Sequence, residues 1–240
     1  MTLLRSTVFN LYFFLLTFVV TLVLATPARL FAPHRVLDVA RLWARLLLSG
    51  VRLICGIRLS VAGLEFLGTG PALIASSHQS AFDTFVWLTL APRCCYVLKQ
   101  ELVRIPLFGP LLPLAGMIAV DRRGGASAMR HLLREGDRAV RERRQIVIFP
   151  EGTRASPGAS LPLQPGVAAL AVRTRLPVVP VVTDSGHCWG RRAFQKRPGT
   201  IHIRLLKPLP PAAGRDTFMH SLEQALQTQP VENSVGSASL

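Results

Sequence analysis

Residues 6–28 carry no charged side chain, and 8–25 are dominated by Leu, Val, Phe and Thr. Taken as helix at about 1.5 Å per residue, the run can cross a hydrocarbon core of about 30 Å. Any fold for this chain must place that run in lipid or bury it whole. A cleaved leader is the other reading. The length of the run, and the lack of a clear small-x-small cleavage site before the next segment, favour a retained anchor. A second segment, 36–57, differs in kind. Its apolar positions Val39, Leu42, Trp43, Leu46, Leu47, Val51 and Ile54 are interrupted by Arg41, Arg45 and Arg52. Such a basic amphipathic helix lies in the membrane interface, with Trp at that depth. Pro27 and Pro33 are expected to break the chain between the two segments. The first then spans the bilayer, or the pair forms a hairpin dipping into one leaflet. Positive charge is denser after the first segment, which puts the bulk of the protein on the cytoplasmic side.

The charge balance points the same way. There are 28 Lys plus Arg against 13 Asp plus Glu, a net +15, and half of all residues are apolar. Such a surplus, nearly all Arg, seeks an anionic partner, and the guanidinium fork suits phosphate. Nucleic acid fits poorly: there is no zinc spacing, no aromatic RNA-binding motif and no low-complexity basic tail. An anionic lipid surface fits better. The four cysteines, Cys55, Cys94, Cys95 and Cys188, include no Cys-x-x-Cys pair and read as reduced thiols.

After residue 59 short apolar runs read as buried strands: 72–75, 96–98, 117–120, 146–149, 178–182 and 201–205. Helical spacing marks 127–143 and 167–173, and Phe218, Leu222 and Leu226 recur every four residues. Strands alternating with helices predict an α/β fold layered around a mostly buried sheet. We divide the chain into an anchor at 1–58, a domain at 59–228 and a small, polar tail at 229–240 expected to be disordered.

Four sites stand out. Ser77-His78-Gln79-Ser80-Ala81-Phe82-Asp83 follows one predicted strand and precedes an apolar helical run. On a continuous helix an offset of five turns two side chains about 140° apart. His78 and Asp83 therefore meet only if His78 sits in the turn and Asp83 in the first helical turn. There the carboxylate would fix the imidazole tautomer and leave the other nitrogen as a base. Phe149-Pro150-Glu151-Gly152-Thr153-Arg154 ends another strand, with a Gly that permits close approach and an Arg able to grip phosphate. Gly116 to Arg123 ends a third strand, with Arg122 a second phosphate ligand and Asp121 able to orient an Arg. Pro177-Val178-Val179-Pro180-Val181 reads as architecture, with an acyl channel as the alternative. No Gly-x-Ser-x-Gly nucleophile elbow is present.

In this order and spacing, the four sites closely resemble the lysophosphatidic-acid acyltransferases (1-acyl-sn-glycerol-3-phosphate acyltransferases) within the wider glycerolipid acyltransferases. Lys99-Gln100-Glu101-Leu102, Ile105-Pro106-Leu107-Phe108-Gly109, Ser185-Gly186 and Trp189-Gly190 extend the likeness. The chain departs from the common pattern with Ser77 before the His, Gln100 after Lys99, and Ala119-Val120 before Asp121. The resemblance implies a layered α/β acyltransferase domain behind a membrane-anchoring helical segment. His78 would be the general base and Asp83 its polarising partner. Glu151, Gly152, Thr153 and Arg154 would shape the glycerol-phosphate site, with Arg122 and Lys99 helping to hold the phosphate. The donor would be an acyl thioester on coenzyme A or acyl carrier protein, with no metal or other cofactor. Attack would be direct, without an acyl-enzyme. The product would be phosphatidic acid, for phospholipid biosynthesis. Lysophospholipid, the thioester, anionic membrane lipids and acyl carrier protein would be its partners. Its place would be a bacterial inner membrane, catalytic domain on the cytoplasmic side. The alternative is an acyltransferase for another lysolipid, such as a lyso-aminolipid.

Overall fold

The computed structural model describes residues 1–210, 214–228 and 238–239. The uncharged run forms helix α1 (Thr2–Val20), a π-helical turn (Thr21–Ala25) and α2 (Thr26–Phe31), together one rod long and apolar enough to cross a membrane. Contrary to the sequence expectation, Pro27 does not end it. A proline ring needs room at the carbonyl four residues back and offers no N–H. The π turn provides that room: the Thr26 N–H reaches back five residues to the Thr21 carbonyl. The break comes at Ala32, beside Pro33, where the backbone turns to φ −148°.

Helix α3 (Val36–Cys55) then folds back along α1. Gly50 lets the helices touch, because a Cβ there would stand 2.2 Å from the Tyr12 ring. The Tyr12 hydroxyl donates to the Leu46 carbonyl at 2.7 Å, and the Trp43 indole to Thr17 Oγ1 at 3.1 Å. Gly56, at φ +70°, caps α3 in the left-handed conformation, its N–H bonded to the Arg52 carbonyl. The pair is therefore a hairpin, with Leu11, Phe14, Leu15 and Phe18 exposed on its outer face.

The sheet order is β4-β3-β5-β2-β6-β7-β1-β8. The strands are β1 (Ile57–Ala62), β2 (Ala72–Ser76), β3 (Cys94–Lys99), β4 (Ile118–Val120), β5 (Gln145–Ile148), β6 (Val178–Thr183), β7 (Gly199–Leu205) and the two-residue β8 (Ala238–Ser239). From β4 to β6 all pairings are parallel; β7 runs antiparallel to β6, and β1 parallel to β7. Helices connect the strands: α4 (Asp83–Leu90), α5 (Leu111–Leu114), α6 (Gly125–Arg141), α7 (Gly166–Thr174), α8 (Ser185–Cys188) and α9 (Arg215–Leu226). The expectation of a disordered tail falls on residues outside the described ones, apart from β8.

Alternate strand residues build two cores on opposite faces. Ile74, Val147, Val179 and Val181 face the hairpin, α4 and Trp87. Leu73, Ile146, Ile148 and Val178 face α6, α7 and α9. Phe9 and Leu47 of the hairpin are fully buried in the first core, worth roughly 1.5–3 kcal/mol each. The anchor thus shares its interior with the sheet. One further tie is polar. Lys196 is 2% exposed, its ammonium bonded to Asn10 Oδ1 (2.5 Å) and the Phe194 carbonyl (2.8 Å). The rings of Phe9, Trp189 and Phe194 box it at 4.9–5.5 Å.

All four cysteines are buried and unpaired. Burial pushes the Cys94 thiol well above its ordinary value and that of Cys95 up to about 12, so neither is a ready thiolate.

Candidate active site

Parallel strands all point their carboxyl ends to one edge, and crevices for ligands form there. The sites beginning at Ser77, Phe149 and Asp121 leave the carboxyl ends of β2, β5 and β4 respectively. Since β2 and β5 are neighbours, their loops meet: the Ala155 N–H donates to the His78 carbonyl at 2.7 Å.

His78 sits in the turn and Asp83 opens α4, so an offset unfavourable on a continuous helix becomes a contact. His78 Nδ1 lies 3.1 Å from Asp83 Oδ2, and the same oxygen accepts the N–H groups of Gln79 and Ser80, both at 2.8 Å. An oxygen accepting from its other neighbours can only accept from Nδ1 as well, which assigns the ring proton to Nδ1 and leaves Nε2 with its lone pair. The ring stacks on Phe149, centroids 4.1 Å apart and 18° from parallel, which restricts its rotation. Ser77 anchors the turn from behind. Its N–H donates to the Val181 carbonyl, and its Oγ accepts the Thr183 N–H.

Glu151 does not reach outward. Its carboxylate accepts the His78 backbone N–H at 2.8 Å, and burial pushes its pKa up to about 7 against that bond, with Asp83 adding to the rise. Gly152, at φ +69°, bonds its carbonyl to the Arg122 guanidinium. Arg154 is half-buried and makes no hydrogen bond or salt bridge among the described residues. Burial draws its guanidinium below the ordinary value; the nearby Asp83 opposes this, and Arg191 adds to it. Lys99, exposed at the end of β3, bonds to none of these groups. Asp121 accepts the Arg123 backbone N–H at 2.9 Å, turning the chain into α6 rather than orienting a guanidinium. The proline run is architecture: β6 is buried throughout, and Pro180 sits in register with Ala75.

Two participants escaped sequence reasoning. Gln79 Oε1 accepts the Gly186 N–H at 3.2 Å, tying the His78 turn to α8. Arg191 brings a second guanidinium towards Arg154, and Trp189-Gly190-Arg191 after β6 was its only signal. Beside the site lies a cavity of about 510 Å³, with Val97, Leu98, Met129, Leu132 and Phe149 on its walls and Arg122 at its polar rim. Phe149, which stacks on the His78 ring, and Glu151, which holds the His78 N–H, both line it.

Fold and site define an α/β protein with a buried, hydrogen-bonded His–Asp pair at the carboxyl edge of a parallel array of strands. The sequence profile of the acyltransferase family matches residues 58–184, and the chain belongs to that family. It is 37% identical over 161 residues to a 1-acyl-sn-glycerol-3-phosphate acyltransferase of Pseudomonas aeruginosa, covering 67% of this chain and 63% of that one. It is 32% identical over 171 residues to the human 1-acyl-sn-glycerol-3-phosphate acyltransferase alpha, covering 69% and 60%. The chain thus spans less than two thirds of the length of the curated relatives it matches. The crystal structure of the 1-acyl-sn-glycerophosphate (LPA) acyltransferase PlsC of Thermotoga maritima shares the fold, at a TM-score of 0.72 and 19% identity, covering 95% of this chain and 96% of that one.

Proposed function

We propose that this protein transfers a fatty acyl group from an acyl thioester, on coenzyme A or acyl carrier protein, to the sn-2 hydroxyl of lysophosphatidic acid. The product is phosphatidic acid. One observation carries the reading: at one sheet edge an imidazole held through Nδ1 by Asp83 shares its loops with Arg154, a half-buried guanidinium that bonds to no protein group among the described residues and that feels the charges of Asp83 and Arg191. Two like charges brought together favour a multiply charged anion, and a phosphate monoester is one.

In the reaction, His78 Nε2 takes the proton of the acceptor hydroxyl while the oxygen attacks the thioester carbonyl. Asp83 stabilises the imidazolium that forms. The tetrahedral intermediate collapses, the C–S bond breaks, and the thiolate recovers the proton from His78. Arg154 holds the headgroup, assisted by Arg122 at the cavity rim and by Lys99 at the end of β3. Glu151 positions His78 through its backbone, and Gly152 and Thr153 shape the loop between. The apolar cavity, within the usual range of about 300–1,000 Å³, accommodates the acyl chain. The hairpin seats the protein in a bacterial inner membrane, with the sheet edge on the cytoplasmic side.

The test is acyl transfer to lysophosphatidic acid and to a lyso-aminolipid lacking phosphate. The wild type should acylate the first, His78→Ala should be inactive, and Arg154→Ala should raise KM for lysophosphatidic acid at least tenfold. Transfer to the phosphate-free acceptor alone would overturn the headgroup assignment.

A further inference from the structure

Helix α6 has two unlike faces. Met129 and Leu132 look into the cavity, and Leu132, Gly136 and Ala139 are buried against the sheet and α7. On the opposite face Arg130, Arg134 and Arg141 fall within an arc of about 40° and are exposed, and Arg123, just before the helix begins, is exposed too. The helix does have acids, but they serve other cations. Glu135 and Glu142 pair with Arg138, and Asp137 holds Arg173 at 2.8 Å, with Arg141 nearby. The side chains of Arg123, Arg130 and Arg134 make no hydrogen bond or salt bridge among the described residues. Like charges four apart cost a helix a few tenths of a kcal/mol, so the stripe works against the isolated helix.

Its place and length narrow the partner. The apolar hairpin packs on one sheet face and α6 on the other, so the stripe looks away from the surface that meets lipid. From Arg130 to Arg141 it runs about 16 Å. The clustered phosphates of a nucleotide would engage one or two of these side chains, whereas an extended acidic protein surface would engage all. The cavity rim, with Arg122 and Gly125, lies at the N-terminal end of the same helix.

We propose that the α6 arginine stripe docks an acidic carrier protein, which delivers its acyl thioester to the cavity lined by the other face of the helix. The proposal rests on the acyl-transfer reading and adds the donor's identity to it.

The test compares, in the full chain in mixed micelles, one acyl chain supplied on acyl carrier protein and on coenzyme A. Arg130→Glu/Arg134→Glu should lower kcat/KM for the carrier-protein donor about tenfold or more and leave the coenzyme A donor within about twofold, because steering charges act on association. Arg130→Lys/Arg134→Lys should keep most of the carrier-protein rate. That rate should also fall as ionic strength rises, in the wild type but much less in the glutamate variant. Equal losses with both donors, no loss with either, or a wild type active only with coenzyme A would overturn the docking proposal while leaving acyl transfer standing. So would a glutamate variant whose main defect is weaker binding to phosphatidylglycerol vesicles. Failure of the wild type with both donors would bring down the acyl-transfer reading itself, and this proposal with it.

Discussion

Asp83 spends one carboxylate oxygen on three donors, while the other is buried without a hydrogen-bond partner among the described residues. Asp83→Asn would put an NH₂ where that lone oxygen sits, a buried donor with nothing to accept it, costing about 1–3 kcal/mol. It would also remove the charge that stabilises the imidazolium, so acyl transfer should fall by about 10²–10⁴. Initial rates and urea midpoints check both; a rate within tenfold of wild type would contradict the role given to the pair. Glu151 gives a pH signature. Its folded pKa, about 7 against an ordinary 4.5, is raised. The protonated form is the one the fold favours, so its stability contribution is full below pH 4.5 and is lost as pH rises through about 7. Glu151→Gln keeps an oxygen for the His78 N–H and escapes that loss. Relative to wild type it should gain up to about 3 kcal/mol between pH 5 and 8. A stability difference that stays flat across that range would count against it.

Among the elements, the segment between α8 and β7 links anchor and site. It carries Lys196 into the aromatic box under α1 and Arg191 towards Arg154. A buried ammonium survives there because an amide oxygen, a carbonyl and three ring faces replace its water. Lys196→Ala loses these contacts and opens a void, an expected cost of about 2–4 kcal/mol. Hydrogen exchange should then quicken first in α1 amides, and protection lost evenly over the whole molecule would speak against a local tie. The same scale shows where periodicity misleads. β1 went unread because it lies near the sheet margin, with Arg58 exposed and only Ile57 and Val61 buried, so it never forms an apolar run. The central strands were legible within a residue or two, because parallel strands covered on both faces must be apolar throughout.

For the molecule as a whole, one broad apolar surface and one basic surface lie on opposite sides of the sheet. Phe14 and Phe18, 69% and 57% exposed on α1, belong to the first. Phe14→Arg/Phe18→Arg should weaken vesicle sedimentation at least tenfold while the protein stays folded by circular dichroism, since the cost falls on lipid contact rather than on the core. Unchanged sedimentation would mean that α1 does not meet the bilayer through this face. Local chemistry along the chain was enough to determine the uncharged helix, the buried strands and the His78–Asp83 pair, because each depends on neighbours a few residues apart. The placing of Arg154 within electrostatic reach of Asp83, the turning of Glu151 inward and the survival of the helix past Pro27 were decided only in three dimensions. They depend on which strands lie side by side and on how much room a turn can find, and neither is written in the spacing of residues.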